Sequence, residues 1–302
     1  MVMFEVSKSF CEISLQFAKK YSGFVILNAD SSKEFDLARF QMFFPDRVFN
    51  FGMGQRDMLG AASGFSVGGK VPFVTGLAAS LIEKGFDQIK NSICKSNLNI
   101  KICGIVDDFE GDDIAVMRGI PNMKVLIPAD VYELKSMMEA MMENYGPTYL
   151  RLERMLSDKV YSSVPDFKFG EVDVLSTGGD VVIFAVGNMV GLALEVEKIL
   201  RNEGISIAVV NMSSIKPVNE EKIVNLLKGA KCAVTIEQHS KKGGLYGVIS
   251  EVAAERWPVT IKGIGYGDDF FDGGDVDSWN ERWGLRTEDV AEKVRMMIKV
   301  WR

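Results

Sequence analysis

Three stretches of this 302-residue chain combine residue types that could do chemistry. The first surrounds His239, the only histidine, in the segment Glu237–Gly247 between an apolar run and a glycine-led helical pattern. An imidazole there can exchange protons near neutral pH, and a lone histidine also serves as a structural hydrogen-bonder. One histidine excludes a multi-histidine metal centre and any mechanism built on two imidazoles. The second is the acidic run Asp107-Asp108-Phe109-Glu110-Gly111-Asp112-Asp113 after a predicted strand. It could take a cation or a polyol, or simply favour a helix N-terminus through the dipole. The third, Gly267–Asp277, carries carboxylates off EF-hand spacing and reads as a solvated loop.

Several common chemistries are absent as motifs. There is no G-x-x-x-x-G-K-[ST] phosphate loop, no G-x-S-x-G and no H-E-x-x-H. Val186-Gly187-Asn188 looks like half of a glycine-rich phosphate turn but lacks G-x-G-x-x-G, so it reads as a tight strand-to-helix turn. A net charge of −6 without a basic tract argues against a nucleic-acid partner. No apolar run approaches the ~18 residues needed to span a bilayer, and the first ten residues lack an apolar signal core. Cys11, Cys94, Cys103 and Cys232 have no CxxC spacing and read as reduced core thiols of a cytoplasmic protein.

The elements that must position these residues follow an alternating pattern. Short β-branched runs predict strands over 23–27, 71–74, 100–105, 124–127 and 149–152, with helices over 5–21, 56–67, 78–92 and 131–142. The pattern lapses at Ser162–Lys168 and then restarts. Strands are expected over 180–186, 207–210, 232–236 and 259–264, and helices over 189–202, 220–227, 244–255 and 287–300. Alternation of this kind predicts an α/β protein with parallel sheets, in two doubly wound domains spanning 1–164 and 165–302.

Taken in order, these segments resemble the C-terminal half of transketolase. The resemblance is carried by Arg47–Met53, Gly68–Thr75, Phe86–Ser92, Met117–Met123 and Ile127–Asp130, then Val210–Pro217 and Glu237–Gly247. It covers nearly the whole chain. It implies the pyrimidine-binding domain of a thiamine-diphosphate enzyme, followed by a transketolase C-terminal-like domain. The family's diphosphate-binding domain, whose GDG…N motif holds Mg²⁺, has no counterpart here. The resemblance therefore implies one subunit of a split enzyme, acting on a sugar or sugar phosphate. A separate diphosphate-binding subunit would supply the metal and diphosphate sites. In the family the cofactor lies between two protomers, so a heterotetramer with two copies of each chain is expected.

Within that frame the site residues differ from the family pattern. The family's "GIAEQNM" glutamate, which exchanges a proton with the aminopyrimidine, aligns with Gln55 in Asn50–Gly60. An amide can hold the ring nitrogen but cannot relay the proton, a loss that costs ~10²–10⁴ in rate. The family's ring-packing aromatics correspond to Leu77 and Ser80, and its histidine-bearing loop is replaced by the shorter Val106–Asp113. Asp30 matches an aspartate beside the cofactor, and Arg154 aligns with an arginine that holds a sugar phosphate, a role its planar fork suits. His239 falls in the matching segment of the C-terminal domain as a candidate substrate contact. Two readings remain open: a ketol-transferring subunit with a remodelled pocket, or a catalytically inactive scaffold or regulatory subunit.

Overall fold

Apolar, β-branched runs form the central strands, as expected for parallel strands covered on both faces. The computed structural model describes residues 3–106, 111–157, 160–270, 273 and 275–300. The chain divides into two units, Met1–Lys168 and Phe169–Arg302. The break falls at the end of the run 162–168, where the apolar pattern lapses.

In the first unit the strands are β1 (Phe24–Asn28), β2 (Val48–Asn50), β3 (Val71–Leu77), β4 (Lys101–Val106), β5 (Lys124–Leu126) and β6 (Thr148–Glu153). They pair in the order β5-β6-β4-β3-β1-β2, all parallel. All five residues of β1 are buried. Helices α1 (Val6–Lys20), α2 (Leu37–Phe43), α3 (Gln55–Val67), α4 (Ala78–Asp87), α5 (Asp113–Arg118) and α6 (Val131–Glu143) connect the strands. Met3–Glu5 and Met155–Ser157 form a small antiparallel ribbon. A phenylalanine cluster anchors the core: Phe24 and Phe73 have ring centroids 4.9 Å apart, and Phe17 meets both edge-on. Such pairs contribute about 0.5–1.5 kcal/mol each beyond their burial.

The helix expected over 78–92 is two elements. α4 ends at Asp87 and a π-helical segment, Gln88–Cys94, follows. α4 lies tightly against α3: a Cβ on Gly85 would sit 2.1 Å from Leu59 Cδ1, so only glycine permits this approach.

The second unit holds β7 (Asp173–Ser176), β8 (Val181–Ala185), β9 (Ile207–Asn211), β10 (Cys232–Ser240) and β11 (Ile261–Tyr266), ordered β11-β10-β8-β9-β7. Only β7 runs antiparallel among these five, with a bulge against β9. Its helices are α7 (Met189–Asn202), α8 (Glu220–Lys228), α9 (Leu245–Arg256), α10 (Val276–Trp283) and α11 (Thr287–Val300). The architecture is the α/β, two-domain arrangement read from the sequence. No helix among the described residues is long and apolar enough to cross a membrane. All four cysteines are buried and unbridged.

Candidate functional site

A shared polar rung crosses three adjacent strands of the first unit, at the ends of β1 and β2 and two residues before the end of β3. Asn28 is the register partner of Asn50 on one side and of Thr75 on the other. Asn28 is fully buried, and its amide oxygen accepts hydrogen bonds from Ser31 Oγ at 2.6 Å and Thr75 Oγ1 at 3.1 Å. Its Nδ2 donates to Ser32 Oγ at 2.9 Å. The backbone leaves this rung in three directions. From β1 it turns through Asp30, which is exposed and adopts a left-handed φ of 56°. From β2 it passes Gly52, at φ 55°, and reaches Gln55 at the first position of α3. From β3 it ends on Leu77 and enters α4, with Ser80 in the first turn. The four residues matched to cofactor contacts thus leave the C-terminal ends of three neighbouring strands, the edge where open α/β sheets bind ligands.

Gln55 is 5% exposed. Its side-chain amide makes no hydrogen bond with another described residue, and the N-cap residue Gly54 offers no side-chain cap. Neither amide atom is among the buried side-chain atoms that lack a partner, so the amide end of this largely enclosed residue reaches the surface of the chain. Here it presents one donor group and one acceptor at a helix N-terminus, which fits the nitrogen-rich edge of an aminopyrimidine as a hydrogen-bond partner. It cannot transfer a proton. Leu77 and Ser80 are half-buried and give an aliphatic and a hydroxyl surface without an aromatic face. The residues therefore fit a pyrimidine ring for holding, while stacking and proton relay are not supplied by them.

Further along the same edge, Arg154 follows β6 and is exposed, and its carbonyl accepts from Val6 N at 3.1 Å. Beside it lies a buried charge cluster that the sequence reading missed. Arg151 Nε meets Asp113 Oδ2 at 3.1 Å and Nη1 meets Glu153 Oε1 at 3.2 Å, while Tyr149 donates to Asp113 at 2.7 Å. Burial works to lower the Arg151 pKa, but the charges of Asp113 and Glu153 outweigh it and leave the value raised. A signal existed: Arg151 lies within the stretch Tyr149–Leu152 expected as a buried strand, where a charge requires a partner. Asp113 is thereby engaged at the start of α5. Residues 107–110 of the acidic run lie outside the described residues. Among the described residues, no group of three or more His, Cys, Asp or Glu side chains could hold a metal.

In the second unit, His239 is fully buried near the end of β10, with Nδ1 2.6 Å from the Ser240 carbonyl oxygen. Two residues earlier, Glu237 is also fully buried and accepts from the backbone N–H groups of Leu245 at 2.6 Å and Tyr246 at 2.8 Å. Its carboxylate therefore caps the N-terminus of α9, a charge-assisted arrangement favoured by the helix dipole. Of the acidic stretch 267–277, residues 271, 272 and 274 lie outside the described residues. Asp275 closes a capping box with Ser278 at α10, and Asp268 and Asp269 pair with Lys242 and Arg282.

Comparison with known proteins agrees with this architecture unit by unit. The transketolase pyrimidine-binding domain model matches residues 3–159, and the transketolase C-terminal domain model matches residues 170–290. A proposed transketolase C-terminal section from Methanocaldococcus jannaschii is 34% identical, the alignment covering 97% of this chain and 96% of that protein. One of the subunits of an apulose-4-phosphate transketolase, from Actinobacillus succinogenes, is 30% identical, over 87% of this chain and 89% of its own length. Among solved structures, a split-gene transketolase in the form of an inactive β4 tetramer superposes with a TM-score of 0.93 at 33% identity. It covers 99% of this chain and 100% of that one. Transketolase from Campylobacter jejuni shares the fold at TM-score 0.79 and 19% identity, with this chain spanning 47% of its length. Two domain models in sequence order and near-complete alignment to relatives of equal length leave one assignment: this chain belongs to the transketolase family.

Proposed function

We propose that this chain is the C-terminal subunit of a split transketolase-type enzyme that moves a two-carbon ketol unit between sugars or sugar phosphates. The observation that carries the reading is Gln55, 5% exposed at the C-terminal edge of the sheet, whose amide reaches the surface of the chain without a partner among the described residues. Relatives of matching length support it, since two are named as transketolase subunits, for apulose 4-phosphate and for 6-deoxy-6-sulfo-D-fructose. Thiamine diphosphate, when bound, supplies the electron sink for breaking a carbon–carbon bond beside a carbonyl. Gln55 would hold the pyrimidine edge, Asp30 would present a carboxylate beside it, and Leu77 with Ser80 would line the ring's surroundings. Arg154 would grip the phosphate of a sugar phosphate. His239 would reach substrate only if the turn after β10 moved, because the ring is enclosed in the structure. A second chain would bring the diphosphate and Mg²⁺ sites, giving a hetero-oligomer, and the assembly would act in the cytoplasm.

A second reading, a catalytically inactive scaffold or regulatory subunit, is favoured by one specific feature. Gln55, Leu77 and Ser80 together remove both the proton relay and the ring-stacking face at one pocket. Calorimetry separates the two. The purified chain, assembled with a diphosphate-domain subunit, is titrated with thiamine diphosphate and Mg²⁺. Binding with measurable ketol transfer is expected, and absence of binding would sink the enzyme reading. If binding occurs, Gln55→Glu should raise turnover by about 10²-fold or more by restoring an acid–base group. Unchanged turnover would show that Gln55 does not occupy the relay position.

A further inference from the structure

We infer that Asn28 is a positioning residue that couples the three segments presenting Asp30, Gln55 and Leu77–Ser80. The inference deepens the thiamine-site reading and rests on it for the identity of the ligand. Asn28 is the middle member of the last rung across β2, β1 and β3, and it bonds in all three directions. Through Nδ2 and Oδ1 it holds Ser32 and Ser31, which close the turn that carries Asp30 at positive φ. Aspartate adopts that region more readily than most residues, and the hydrogen bonds of the turn hold it there. Through Oδ1 it also receives the hydroxyl of Thr75, two residues before Leu77, a hydroxyl that lies within 3.3 Å of the Leu27 carbonyl as well. Through its backbone carbonyl it accepts from Phe51 N at 2.9 Å, and the Phe51 carbonyl accepts from Gly54 N at 3.0 Å, immediately before Gln55.

Of the four side chains in this network, Asn28, Ser31 and Thr75 are each 0% exposed and Ser32 is half-buried. Every polar atom of the Asn28 amide is engaged inside the protein, so its work is to fix geometry. A packed apolar residue of similar size would fill the space and keep the backbone bond to Phe51, but would tie neither the Ser31–Ser32 turn nor Thr75 to that point. Buried polar groups that are fully satisfied rigidify and specify a local arrangement, and binding residues gain precision from such support.

Thr75→Val removes one hydroxyl from the rung and keeps the side chain's shape. Coupling predicts that backbone amide exchange then accelerates, roughly tenfold, in all three segments, 29–32, 51–55 and 77–80. It also predicts that affinity of the assembled complex for thiamine diphosphate falls about tenfold while assembly itself is retained. Thr75→Ser, which keeps the donor, should restore both. Faster exchange confined to β3, or unchanged affinity in a folded variant, would overturn the inference. Should Thr75→Val fail to fold, Ser31→Ala carries the same expectation, because it removes a donor from the turn and leaves the strands intact. If the unaltered complex binds no thiamine diphosphate, the functional reading fails while the exchange pattern still decides the coupling.

Discussion

Gln55 and Glu237 are both polar residues of low exposure beside a helix N-terminus, one in each unit, and they differ in what meets them. Both Glu237 oxygens accept backbone N–H groups of the first turn of α9. The fit is so close that a Cβ on Gly244 would lie 2.0 Å from Glu237 Oε2, which is why glycine precedes the helix. Gln55 stands at the start of α3 with no protein partner among the described residues. Low exposure of the residue therefore does not by itself tell what meets its polar group. What separates the two is that the chain consumes the hydrogen-bonding capacity of Glu237 and leaves that of Gln55 to another group.

The largest effect expected from this contrast lies at Glu237. Glu237→Ala would leave two enclosed N–H groups without an acceptor and should lower unfolding free energy by about 3 kcal/mol, read by urea denaturation. A loss below ~1 kcal/mol would erase the distinction between the two sites. Lys101 extends the contrast to a cation at the opposite end of the first sheet. It is fully buried at the start of β4 and donates to the Asn144 and Gly146 carbonyls at 2.8 and 2.9 Å. Burial first, and the charge of Lys124 second, lower its pKa to about 7. Its folded pKa lies below the unfolded value, so the unfolded chain binds more protons between about pH 7 and 10.5. Stability should rise with pH through that window, by up to ~1.4 kcal/mol per pH unit from this group. Lys101→Met should flatten the slope in denaturation curves recorded from pH 7 to 10.

At Gln55 the expected change in stability is small. Gln55→Ala should shift unfolding free energy by less than ~1 kcal/mol, because no internal hydrogen bond is lost. The same variant should weaken thiamine diphosphate binding by the assembled pair about tenfold. A large stability loss with unaltered binding would make Gln55 resemble Glu237 after all. The smallest effect is expected from Asp30→Asn. Asparagine tolerates the left-handed region, so thermal stability should move by only a few tenths of a kcal/mol while the charge beside the candidate site is removed. A cofactor affinity insensitive to this change would confine Asp30 to a turn-forming role.

Much of the fold was legible because parallel strands buried on both faces must be apolar throughout. β1, β8 and β9 are buried along their full lengths and stood out as uninterrupted runs. Elements that lack such a pattern were missed. β7 is exposed at Asp173 and Val174, and β2 is three residues long. α2 and α5 span seven and six residues, too short to show a helical period. Helix 78–92 was read as continuous because a local widening from α to π hydrogen bonding leaves the apolar spacing nearly unchanged. The candidate site divides similarly. Asp30, Gln55, Leu77, Ser80 and Arg154 were reachable from motif resemblance. Asn28, Thr75 and Arg151 gave no motif, since their meaning lies in what they touch.

The sequence by itself determined the family and the order of the two domains, and it offered Gln55 as the candidate for the relay position. Those follow from local composition and motif order, which survive without knowledge of contacts. Only the tertiary structure decided which polar groups are already satisfied. Hydrogen-bond satisfaction depends on partners far away in the chain: Thr75 on Asn28, Arg151 on Asp113. The same physics leaves the Gln55 amide at the surface of the chain without a protein partner among the described residues, a condition that no reading of its neighbours in sequence could reveal.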